Sequence, residues 1–244
     1  MPGTWALFRE IARKKLSWGN STADKPRIDR NLPMDLRIGS TIRITSLAAI
    51  VHGDQLKIKM PTGDLMVMSY GVFNTDPFVG HRFYLVSDNG ELFTLQVVTN
   101  KKGGVEDCKL YALHDEIATN DWAFWLDERD GYIGLSAFQL KPEDGGIWYF
   151  RAWEDAGAQI TLGMDGDTEI THIPPVEFTE KVYCDPYGNE TRRIKHTAML
   201  YGRDVVVDEV QEYMMASVAE DEDGASVQII IGLPVEASDI KVLF

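Results

Sequence analysis

From residue 36 onward the apolar positions fall into short runs, alternating or continuous, separated by turn-forming residues, and this pattern predicts strands. RIGSTIRI (37–44) and DQLKIKM (54–60) alternate, PTGD (61–64) predicts a turn, and LMVMSYGVF (65–73) runs back. HRFYLVSDNGELFTLQVV (81–98) carries the clearest hairpin pattern, with Asn89-Gly90 supplying the two positive-φ positions of a type I′ turn. DCKLYAL (107–113) adds another strand. In the last third, VEFTEKVYC (176–184) and TRRIKHTAML (191–200) flank the turn sequence DPYGNE. EVQEYMMASVA (209–219) and ASVQIIIGL (225–233) flank EDEDG, whose charge discourages edge-to-edge pairing. VVVDEVQEYMM also fits a helix, through Val206, Val210 and Tyr213.

Two stretches carry helical spacing instead. In TWALFREIARKKLSWG, Trp5, Phe8, Ala12 and Leu16 form an apolar stripe with Ile11 beside it, while Arg9, Arg13, Lys14 and Lys15 supply a basic character. Thr4 can cap its start and Gly19 its end. Residues 1–19 are therefore expected to form a basic amphipathic helix, suited to an anionic membrane surface or a partner's groove, or packed on its own domain. In DWAFWLDERDGYIG (121–134), Trp122, Trp125 and Leu126 share a helical face, with Thr119 or Asn120 as the cap and Gly131 past the end; as a strand, the same stretch would line Trp122, Phe124 and Leu126 on one side and Trp125 on the other. Residues 20–33 are polar, hold two prolines and lack periodicity, which predicts a linker. The fold expected is mainly β (α+β): the N-terminal helix, the linker, a first antiparallel β subdomain over 34–118 and a second over 119–244. Small SH3-like or Tudor-like barrels suit strands this short.

Composition narrows the class. A chain of 244 residues, 44% apolar and 25% charged, is that of a globular domain with a substantial core. Two cysteines make no disulfide framework and fit a reducing compartment. No apolar run approaches the roughly 20 residues of a membrane helix, and no secretory signal is visible. The net charge of −14 tells against nucleic acid as a partner, because phosphate contacts need a positive surface. That charge is segregated: residues 1–30 carry a net of +4 and the rest −18. An acidic body of this kind attracts basic partners.

Catalytic and metal chemistry find few candidates. There is no GxSxG elbow, no phosphate-binding glycine motif and no HxH or HxxxH pair, and the acidic turns DGDTE and DEDG lack a full calcium-loop spacing. Cys184 and His196 are close in sequence, but a turn centred on Tyr187-Gly188 would pair Cys184 with Thr191 and hold the two groups apart along the hairpin. A buried, inert Cys184 is expected. No catalytic residue, metal site or cofactor is assigned. The strongest candidate is the aromatic and acidic middle of the chain. Trp122, Trp125, Trp148 and Trp153, with Asp127, Glu128 and Asp130, are the residue types that hold an organic cation through ring faces and charge pairing. The same rings could equally be the main core.

Several stretches together resemble the YjfK-like family of uncharacterised bacterial proteins, a domain of unknown function. They are LRIGSTIRI (36–44), HRFYLVSDNGELFTLQVV (81–98), WAFWLDERDGYIG (122–134), WYFRAWE (148–154), VEFTEKVYC (176–184), HTAMLYGRDV (196–205) and EYMMASVAEDEDG (212–224). The family brings no activity, cofactor or site residue. Its genes tend to lie near those of phage-shock-type membrane-stress proteins, so the resemblance implies a cytoplasmic accessory role peripheral to the inner membrane. The function expected is a non-catalytic binding or assembly protein, with the acidic aromatic site for a small organic cation or basic protein and the N-terminal helix for an anionic membrane surface. One alternative is a carboxylate-based hydrolase or transferase acting on a cationic substrate. A second is a structural subunit of a homo-oligomer.

Overall fold

The computed structural model describes residues 26–141, 145–153, 172–206 and 209–243. The expected N-terminal helix, with Trp5, Phe8, Arg9, Arg13, Lys14 and Lys15, lies outside them. Twelve strands run β1 Thr41–Ile44, β2 Leu65–Thr75, β3 Phe78–Ser87, β4 Leu92–Thr99, β5 Val105–Ile117, β6 Ala137–Gln139, β7 Trp148–Arg151, β8 Val176–Tyr183, β9 Thr191–Val206, β10 Val210–Asp221, β11 Gly224–Pro234 and β12 Ile240–Leu243. Two short helices, α1 Leu47–His52 and α2 Trp122–Leu126, interrupt them.

Eight of these strands close a barrel in the order β2-β3-β4-β5-β11-β10-β9-β8, with every pairing antiparallel and β8 returning to β2. Strands from both sides of residue 118 therefore share one sheet, in place of two small barrels. The seams are β5 against β11 and β2 against β8, each joining the two halves of the chain. The ladder closes with a stagger. Followed from Thr191 on β9 through Tyr183, Tyr70, Phe83, Leu95 and Leu110 to the Leu233–Gly232 end of β11 and on to Tyr213, it returns at Gly202, roughly a dozen residues further along β9. Such a stagger tilts the strands and widens the lumen, which large side chains fill.

Three glycines make that filling possible. A β-carbon on Gly71 would run into the Glu180 carboxylate, one on Gly80 into the Phe73 ring, and one on Gly232 into the Tyr111 ring and the Leu110 carbonyl. Each takes the place that a side chain on a neighbouring strand occupies.

The wall is covered on most of its outer surface, which gives the protein apolar packing inside and outside the barrel. Over β2–β5 lie β1, β12 and the stretch from Leu32 to Ile44, with Leu36, Ile42, Leu65, Phe83, Leu85, Leu95 and Leu110 all fully buried. Over β9–β11 lie α2, β6, β7 and residues 56–60, with Ile133, Tyr149, Tyr201, Met214 and Leu233 fully buried. A strand covered on both faces need not alternate, which is why SVQIIIGL in β11 is apolar almost throughout. β8 is the contrast: from Glu177 to Val182 exposed and buried positions alternate, because its outer face is open to solvent.

Local outcomes differ from expectation in five places. Residues 54–60 form no strand, and α1 precedes them. β3 and β4 join through Asp88–Glu91, of which only Gly90 has positive φ, so the turn is not type I′. Within VVVDEVQEYMM, Val205 and Val206 end β9 and Val210–Met215 belong to β10, so the described part is strand rather than helix; β10 pairs on both sides. The helix expected at 122–126 forms, but its cap is Asp121, whose carboxylate accepts from the Phe124 amide. Residues 26–33, within the stretch expected as a linker, run against the barrel. Buried Asp29 accepts from the Arg27 guanidinium and the Ile38 amide, and the Ile28 amide donates to Pro186.

Candidate ligand-binding groove

The aromatic and acidic residues singled out in the middle of the chain do not converge on one exposed cage. Trp125 is 8% exposed and is part of the outer core over β9–β11, where Trp122 and Trp153 also pack. It stands edge-on to Phe124 and Tyr132, which stack on each other with ring centres 5.3 Å apart. Trp148 sits on the outward face of β7 beside Phe150, both about half exposed. Asp127, Glu128 and Asp130 all point into solvent. Asp127 is engaged locally: its carboxylate accepts from the Arg129 amide, which holds its pKa below the usual carboxylate range.

The deepest charges lie elsewhere, inside the barrel. Arg82 on β3 crosses the lumen to Glu180 on β8 at 2.9 Å, and its Nε donates to Gln96 on β4. Tyr84 donates to the other oxygen of Glu180 at 2.8 Å. His196 on β9 lies 3.1 Å from Glu180 through Nε2 and 3.1 Å from the Ser217 hydroxyl through Nδ1. Phe73 and Phe178 flank the Arg82 guanidinium at 5.0 and 5.4 Å. Burial alone would raise the Glu180 pKa, but the charge of Arg82 and the hydrogen bonds from His196 and Tyr84 outweigh it and hold it down to about 2. Burial lowers His196, so the neutral ring, donating through Nε2 and accepting from Ser217, suits this geometry. Every one of these groups is nearly closed to solvent, and Glu180 is an ionised acceptor rather than a proton donor. The arrangement ties β3, β4, β8, β9 and β10 together across the interior.

A second buried carboxylate builds a concave surface on the outside. Glu212 on β10 accepts from the Tyr149 hydroxyl at 2.7 Å and from the Arg203 Nε at 2.8 Å. Its other oxygen accepts from the backbone amides of Lys57 and Ile58 at 2.6 and 2.9 Å. Arg203 also donates to the Gln55 carbonyl. An irregular segment is thus held rigidly by a charge that belongs to the far end of the chain. It forms one wall of a groove of about 470 Å³, lined by residues 57–59, 90–93, 112–114 and Ile231. That volume is in the range of small-molecule sites.

The groove lies where the two outer cores meet. Its floor is the cross-strand row Phe93–Ala112–Ile231, and the small Ala112 side chain between two large neighbours leaves the depression. Ile58 closes the base of the wall, while Lys57 and Lys59 stand on either side of it in sequence and also line the groove. His114 enters through a β-bulge. On β11, Ile229 faces Asp115 and the next residue, Ile230, faces Leu113, so the register skips His114, the extra residue of the bulge, and its side chain lines the groove. Among the described residues no three of His, Cys, Asp and Glu converge to hold a metal ion, and no helix is long and apolar enough to cross a membrane.

Fold and groove together define a closed eight-stranded antiparallel barrel, jacketed on its outside, with a lateral depression of mixed apolar and basic lining. The chain belongs to the family described as "Protein of unknown function (DUF2491)", whose model matches residues 9–241. No curated protein and no solved structure matches it. Sequence reasoning missed every groove residue. The one local signal was Lys57-Ile58-Lys59, an apolar residue between two lysines in an acidic chain.

Proposed function

We propose that this protein is a non-catalytic binding protein that takes its ligand in the lateral groove. The observation that carries this reading is the wall at Lys57–Ile58, whose amides are fixed by buried Glu212, so that the depression is formed before any ligand arrives. Preorganisation of that kind lowers the ordering cost of binding. The buried carboxylates support binding over catalysis: Glu180 and Glu212 are each tied to an arginine and a tyrosine, and neither lines the groove. A fragment screen read by amide chemical shifts tests the proposal. Hits should perturb residues 57–59, 90–93 and 112–114 together, and Ala112→Phe, which fills the floor, should abolish them. Perturbations scattered over the surface, or hits unaffected by A112F, would overturn it.

Segregation of charge, with +4 in residues 1–30 and −18 beyond, favours a second and compatible reading. In it the N-terminal segment brings the acidic barrel to an anionic membrane surface. Sedimentation with anionic vesicles, lost on deletion of residues 1–20, tests this; sedimentation unchanged by the deletion ends it.

A further inference from the structure

We infer that the ligand of the groove is a small amphipathic organic anion, with a carboxylate or phosphate head at the Lys57–Lys59 rim and an apolar body on the floor; this rests on the reading of the groove as a binding site. Three features fix the class. The floor and base are apolar, formed by Ile58, Phe93, Ala112 and Ile231 with Leu92 at the edge, so a purely polar ligand would leave this surface without a partner. The wall places two lysines in succession around one buried residue, and Lys59 is exposed and makes no ion pair among the described residues. The bulge adds the His114 ring beside the two lysines, and among the described residues the carboxylate that lines the depression is Glu91.

The setting sharpens this. On a protein of net charge −14, the general field draws cations and repels anions. A rim of two lysines reverses that preference only at short range, within the screening distance of about 8 Å at physiological ionic strength. The groove therefore selects an anion that is held by its apolar body as well as its charge. Fixing the backbone of Lys57 through Glu212 gives the head a defined position relative to the floor. The volume of about 470 Å³ limits the ligand to a single short chain or a small ring system.

The test uses the full chain and four ten-carbon probes below their micelle-forming concentrations: decanoate, decyl phosphate, decanol and decyltrimethylammonium, each titrated by calorimetry and followed by amide shifts. Decanoate or decyl phosphate should bind with shifts at residues 57–59, 93 and 112–114, and decanol at least tenfold more weakly. Lys57→Gln with Lys59→Gln should weaken the anionic probe roughly tenfold, as expected for two partly exposed charge contacts, and leave decanol unchanged. The tighter of the two anionic probes names the head group. If decanol binds as well as the anions, or the double variant binds them equally, the groove stands but the anionic class falls. Preference for decyltrimethylammonium likewise overturns it. If no probe perturbs the groove, the underlying binding reading fails as well.

Discussion

Arg82 and Glu180 meet at 2.9 Å in the centre of the barrel, on strands separated by β2, with the guanidinium 5% exposed and the carboxylate fully enclosed. Placing two charges there costs several kcal/mol of desolvation each, which their attraction offsets only because Gln96, Tyr84 and His196 satisfy the remaining groups.

Removing one partner leaves the other buried and uncompensated. Glu180→Gln or Arg82→Met should each cost about 3–5 kcal/mol, and the double variant should recover part of that loss. Urea denaturation checks this through the midpoint. Equal, additive losses in the double variant would show that the two side chains do not act as a pair.

Acid should loosen the barrel in two stages. The pKa of folded His196 lies below its ordinary 6.5, so its contribution is complete above pH 6.5 and declines as the pH falls through the folded value. Glu180, at about 2 against an ordinary 4.5, contributes fully above pH 4.5, and that contribution is lost toward pH 2. The melting temperature should therefore drop from pH 6.5 downward. His196→Gln, which keeps a hydrogen-bond donor, should flatten the slope between pH 5 and 7 and leave the fall below pH 4.5. A Tm independent of pH between 4 and 7 would refute the assignment of a neutral, enclosed imidazole.

Glu212→Gln should act on the groove before it acts on the fold. Hydrogen bonds to a charged acceptor are worth about 1.5–3 kcal/mol each, and two of them hold the Lys57 and Ile58 amides. Hydrogen exchange at those two amides should accelerate by at least tenfold relative to Leu95 on β4. Unchanged protection there would mean that the wall is held by other contacts.

The tryptophans separate core from surface. Trp125→Ala should destabilise by about 3–5 kcal/mol, as truncation of a buried ring does. Trp148→Ala, on the open face of β7, should stay within about 0.5 kcal/mol. Comparable losses from both would contradict the burial described.

Gly71→Ala should be among the most harmful single-methyl additions, because the new carbon would run into the Glu180 carboxylate. A loss of about 1–3 kcal/mol or more is expected in chemical denaturation. Gly63→Ala meets no atom within 4 Å and serves as the comparison for backbone strain alone.

Strand identity was legible wherever turn residues bracket an apolar run, as for β2, β3, β4, β8, β9, β10 and β11. Closure was not. The seams β2–β8 and β5–β11 join residues far apart in sequence, and nothing in either run names its partner. DQLKIKM alternates like a strand, but the amides of Lys57 and Ile58 go to a side chain about 155 residues away instead of a ladder. At the β8–β9 turn, Asp185 gathers the amides of Tyr187 and Glu190 and shifts the pairing by one residue, so that Thr191 faces Tyr183 rather than Cys184. Cys184 is buried, as is Cys108, and neither forms a disulfide. The groove escaped notice because its makers are a bulge and a small residue between two large ones. Neither leaves a periodic trace.

The excursion from Ile117 to Val176 sets how this molecule must assemble. Each half of the polypeptide offers only four staves of the hoop, with two raw edges, and the lumen stays wet until both joints are made. Local hairpins can form early, but the final fastening must bring together segments about a hundred positions apart, at the entropic expense of a very long loop. Refolding should therefore be slow for a chain of this size, in the range of non-local all-β topologies, with the hydration of the inner cavity lost in the last kinetic step.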